Sequence, residues 1–187
     1  MFLFAILFSI ACTGIAQVSG HLKFKGIPME GSLQSFVDKL KAKGVTYLST
    51  KDGVASLKGE FAATNNCQIF VSKMPDADKV NKVIVLFPEQ ETWRSLSNQY
   101  EYMKELLTEK YGEPDVIEKF HENVNEEQSK FFAILDNEAD YISEFNTSNG
   151  IIQLSMTKSS TLRCSVLIRY IDDSNEQELR QRVMDDL

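Results

Sequence analysis

Apolar residues in this chain recur at two spacings: three to four, which marks one face of a helix, and two, which marks a half-buried strand. Leu33, Phe36, Val37 and Leu40 fall at i, i+3, i+4 and i+7 behind Ser32, and Gly44 closes the run. A short extended lead-in ending at Gly26-Ile27-Pro28 precedes this predicted helix. Alternation at two then marks strands at 46–49, 54–63, 67–74 and 80–87, with Asn65-Asn66 and Pro75-Asp76-Ala77-Asp78 as reversals.

A second helix is predicted from about Glu91, with Trp93, Leu96, Tyr100, Met103, Leu107 and Tyr111 on one side and Gly112 and Pro114 just past its end. Strand spacing returns at 115–120, a short helix at 125–136, and three strands at 140–146, 151–157 and 162–171, with Ser148-Asn149-Gly150 as a hairpin turn. Ser174 and Gln177 form a capping box for a last helix on which Leu179 and Val183 face inward.

The halves match when overlaid. Leu33, Phe36, Leu40 and Gly44 fall on Tyr100, Met103, Leu107 and Gly112; Glu60-Phe61 falls on Glu144-Phe145, and Lys82 to Phe87 on Ser165 to Tyr170. The expected fold class is α+β: two tandem helix-plus-antiparallel-meander repeats, 17–90 and 91–187, sharing one globular unit, with Phe61 and Phe145 buried on equivalent strands. Each helix ends in Lys-Gly or Lys-Tyr-Gly, at Lys43-Gly44 and Lys110-Tyr111-Gly112. This layout resembles the β-lactamase-inhibitor-protein-like proteins and exported bacterial proteins of the same tandem architecture; the small periplasmic PepSY-type domains are a weaker likeness. The resemblance implies the fold and no binding residues, because no segment matches those of the inhibitor.

Residues 1–16 form an uncharged, apolar segment ending Gly14-Ile15-Ala16, too short to span a membrane and patterned for signal cleavage after Ala16. No basic stretch opens it, consistent with a start upstream of Met1. The expected location is secreted or periplasmic. The alternative is a lipoprotein acylated on Cys12, although Ser9 and Ile10 stand where Leu and a small residue belong. The net charge of −7, with basic residues scattered singly, disfavours nucleic-acid and anionic-membrane partners.

Cys67 and Cys164 remain after cleavage. They either pair as a disulfide, contributing on the order of 4 kcal/mol, or face a core as small apolar residues. His21 is expected exposed in the lead-in, and His121 charge-paired beside Glu118 and Glu122. Asp76-Ala77-Asp78 lacks the bidentate Glu of a calcium loop, no CxxC or HxxxH spacing offers a metal site, and no Gly-rich phosphate cradle or Gly-x-Ser-x-Gly elbow is present. Phe131 and Phe132 are adjacent on the short helix, so both cannot point inward, and one is expected to mark a contact surface. Together these features indicate an exported, non-enzymatic binding module without cofactor, acting on a protein, peptide or glycan of the cell envelope. The alternatives are a lipid-anchored envelope assembly component and a cryptic hydrolase.

Overall fold

The Ser32 hydroxyl accepts from the Ser35 N–H at 3.2 Å and so starts α1 (Leu33–Ala42), which buries the apolar stripe of Leu33, Phe36, Val37 and Leu40. Ahead of it, β1 (Lys23–Phe24) and β2 (Ile27–Pro28) form a small hairpin that buries Phe24 and Ile27. These elements belong to a computed structural model that describes residues 20–185 apart from 76 and 121–123. The leader with Cys12 and Ala16, together with Asp76, His121 and Glu122, lies outside the described residues, as does the side chain of Leu179.

Four strands follow α1: β3 (Thr46–Lys51), β4 (Val54–Phe61), β5 (Thr64–Lys73) and β6 (Val80–Leu86). Then α2 (Trp93–Tyr111) leads into β7 (Asp115–Phe120), the short α3 (Glu127–Leu135), β8 (Ala139–Thr147), β9 (Gly150–Ser160), β10 (Arg163–Asp172) and α4 (Asp173–Asp185). All eight long strands join one antiparallel sheet in the order β3-β4-β5-β6-β10-β9-β8-β7. The α+β class is therefore observed, and the last strand of each half, β6 or β10, lies at the centre of the sheet.

Period-two alternation gives the sheet two unlike faces. Leu57, Ile69, Val85, Ile168, Leu154 and Phe145 are buried beneath α1, α2 and α3. Phe70, Ile84, Leu86, Leu167 and Ile171, on the opposite face, are half-buried. Each long helix contacts strands of its own half, α1 on β3 and β5, α2 on β8, β9 and β10.

Strand order matches between the halves, but one expected side-chain match does not hold. Val85 pairs with Ile69 and Ile168 with Leu154, so counting back two residues sets Cys67 beside Ile152 as counterparts. Their partners across the next ladder are Gly59 and Phe145. The counterpart of Phe145 is thus Gly59, where Val45 lies 3.5 Å from the position a Cβ would take. Phe61 stands two residues further on, past a register shift, and is half-buried against the core, whereas Phe145 is fully buried.

Local signals also shift. The β4–β5 reversal sits at Ala62-Ala63, both with positive φ, and the first expected turn residues, Asn65 and Asn66, open β5 instead. Asn66 keeps a left-handed backbone opposite the irregularity between Gly59 and Phe61. The last helix is not capped by Ser174, whose hydroxyl donates to the Gly20 carbonyl. The buried Asp172 carboxylate caps it, accepting from the Asn175 N–H at 3.1 Å. Val183, expected to face inward, is exposed.

Candidate functional site

The site forms where the start of α2, α3 and the β9–β10 hairpin tip converge. Thr92 caps α2 by accepting from the Ser95 N–H at 3.2 Å, which makes Trp93 its first residue. The Trp93 ring meets Phe120 and Tyr141 edge-on at 5.7 and 5.6 Å, and the Lys130 ammonium lies 5.7 Å from its centroid. Tyr141 in turn meets Tyr100 at 5.3 Å, and the Tyr100 hydroxyl is hydrogen-bonded to Ser143 at 2.7 Å. Burial pushes the Tyr100 phenol up to about 12. Trp93 is therefore held by a packed aromatic row that anchors α2 to β8.

Successive helical residues are about 100° apart, so α3 turns Phe131 inward and leaves Phe132 outside. Phe131 is 6% exposed and Phe132 45% exposed. Across from them, Gln90 pairs with Cys164 through two backbone hydrogen bonds of 2.7 and 3.1 Å. That bridge ties the loop before α2 to β10, bringing Arg163 within 2.6 Å of Glu91 and 3.8 Å of Glu89. It also places Leu162, 69% exposed, at the mouth of the site.

These residues enclose a groove of about 460 Å³, lined by Trp93, Phe131, Phe132, Leu135 and Leu162 with Glu91, Thr92, Glu127 and Gln128. The volume falls within the roughly 300–1,000 Å³ of small-ligand pockets. Glu127 lies 3.7 Å from Arg94, so both lining carboxylates face guanidinium groups. Among the described residues no histidine or cysteine lines the groove, and the Thr92 hydroxyl is engaged in capping. Chemically, the groove offers an apolar floor, two exposed apolar lips and a charged rim.

Other candidate residues lie elsewhere. Cys67 and Cys164, weighed as a disulfide pair, are both free and buried. They occupy β5 and β10 with β6 between, and two strand spacings of roughly 9.6 Å exceed the roughly 7 Å Cα reach of a disulfide. Burial raises both thiols, that of Cys164 to about 11. His21 is not in open solvent: its Nδ1 lies 3.1 Å from the buried Asp172 carboxylate, which also accepts from the Leu22 N–H. Asp78 accepts from the Leu33 N–H at 3.4 Å, at the start of α1. No group of metal-ligating side chains occurs among the described residues, and none of their helices is long and apolar enough to cross a membrane.

Phe131 and Phe132 were legible as a pair with one member exposed. Leu162 and the Glu91–Arg163 pairing were not, because their place depends on the Gln90–Cys164 bridge, which no local pattern announces. Compared with family models, with curated proteins and with solved structures, the chain matches none of them.

Proposed function

We propose that this chain is an exported, non-enzymatic binding module whose groove receives an apolar anchor side chain from a partner protein. The observation that carries the reading is the exposure of Phe132 and Leu162 among the residues that line an apolar groove. Exposed apolar lips around such a cleft are a common mark of an interaction site. The charged residues that line the groove itself are two carboxylates, Glu91 and Glu127, so a basic residue beside the anchor suits it. The short apolar leader ending Gly14-Ile15-Ala16 supports export, and the matching strand order of the halves supports an origin by duplication, in keeping with the inhibitor-protein-like layout. Among the described residues the groove's one hydroxyl, that of Thr92, is engaged in capping and its two carboxylates face guanidinium groups, which supports a binding role over hydrolysis.

Trp93 is the chain's single tryptophan, so its fluorescence reports on the groove. Titration with N-acetyl-Phe-Arg-amide is expected to shift its emission saturably in roughly the millimolar range, as fits one buried side chain. N-acetyl-Phe-Glu-amide should bind more weakly, and Phe132→Ser or Leu162→Ser should weaken both. A linear, unsaturable response, or one unchanged in both variants, would remove the groove from the reading.

A further inference from the structure

We propose that the chain forms a two-fold symmetric dimer by pairing β7 with β7 of a second copy, extending the sheet across the interface. β7 is the terminal strand at one edge, and five of its six residues are exposed, Val116 at 48% and Ile117 at 55%. Its register with β8 is unbroken from Asp115 to Phe120. The opposite edge differs. β3 carries a register shift between Tyr47 and Ser49, an irregularity of the kind that turns an edge away from further pairing. Of the sheet's two edges, β7 is the one whose ladder runs without irregularity.

The sequence of β7, Asp-Val-Ile-Glu-Lys-Phe, selects one register. Facing residues of an antiparallel pair point to the same face, so a symmetric pairing must centre on one residue. Centring on Glu118 or Lys119 sets like charges directly opposite each other, which destabilises a ladder. Centring on Val116 sets Pro114, which has no N–H, opposite Glu118 and shortens the ladder. Centring on Ile117 leaves five paired residues: Ile117 meets itself, and Asp115 meets Lys119 of the second copy on both sides. Asp115, Ile117 and Lys119 share the sheet face of Ile142, so the apolar centre continues from Ile142 through both Ile117 side chains, flanked by two opposite-charge pairs. On the other face Val116 meets Glu118, whose carboxylate is already held by Lys104 at 2.8 Å.

An edge contact of this size is at the low end for protein interfaces, so the dimer is reversible and concentration-dependent. Sedimentation equilibrium on the full chain is the test, with far-UV circular dichroism confirming the fold of each variant. The wild type should pass from monomer to dimer across the micromolar range, and Ile117→Lys should stay monomeric. Asp115→Lys or Lys119→Asp alone should weaken the dimer at least tenfold, and the two together should restore it to within a few-fold of wild type. A wild type that stays monomeric at high micromolar concentration overturns the proposal. So does a dimer that survives Ile117→Lys, or one that the paired charge reversal fails to restore. None of these outcomes depends on the groove.

Discussion

Truncating Phe145 and Phe61 to alanine separates two positions that look equivalent in sequence. Phe145 is 1% exposed, within the layer between the sheet and α2, where its removal costs both transfer free energy and a cavity that the surrounding strands cannot close. The expected loss is about 3 to 5 kcal/mol. Phe61 stacks on Phe24 at 5.5 Å and meets Phe87 edge-on at 6.0 Å, but it also borders a partly open cavity of about 140 Å³ with Met103, Tyr111 and Tyr170. Water can enter the space it vacates, which lowers the cavity cost, so its loss should be about 1.5 to 2.5 kcal/mol, including the broken aromatic pairs. Urea unfolding followed by both Trp93 fluorescence and far-UV circular dichroism gives the two values, provided m is unchanged. Equal losses, or a loss below about 1 kcal/mol for Phe145→Ala, would refute this placement of the core.

Further outcomes follow from buried ionisable groups and from the leader. The folded-state pKa values of Cys164, about 11, and Tyr100, about 12, lie above those of the unfolded chain, so the protonated forms favour the folded state. Their contribution is complete below about pH 8.5 and is lost as pH rises through 11 and 12; thermal scans should therefore show the melting temperature falling in that window, and a flat profile would contradict the burial of both groups. Asp172→Ala removes the acceptor of the Leu22 and Asn175 N–H groups and should cost roughly 2 to 4 kcal/mol by chemical unfolding, with Asp172→Asn recovering part of it. Mass spectrometry of the chain exported from a bacterial host should give an N-terminus at Gln17; a diacylated Cys12 would replace free export with a lipid anchor.

The elements themselves were legible because their signals are local. The stripe from Leu33 to Leu40, the Gly112 stop and the alternation of Cys67, Ile69 and Val71 each carry their own period, and each lies where it was expected. What escaped depends on partners distant in sequence. Asn65-Asn66 has turn chemistry, yet the ladder to β4 takes it into β5 and leaves the turn to two alanines. Ser174 has capping chemistry, yet Asp172, fixed by Leu22 some 150 residues away, caps α4 first. Matching Glu60-Phe61 with Glu144-Phe145 by identity missed the irregularity after Gly59, which displaces Phe61 from the place Phe145 holds. Of the groove, the division between Phe131 and Phe132 was readable from helix geometry, and the Leu162 lip was not, because it depends on the bridge at Gln90.

The central claim is that the groove between α2, α3 and the β9–β10 tip takes an apolar anchor, and a backbone amide chemical-shift map of the isotope-labelled chain titrated with N-acetyl-Phe-Arg-amide tests it most directly. Shifts gathered on 91–94, 127–135 and 161–164, and abolished in Phe132→Ser while the rest of the spectrum stays in place, are the predicted result. Shifts gathered instead on the half-buried sheet face around Phe70, Ile84 and Leu167, or scattered without a focus, would contradict it.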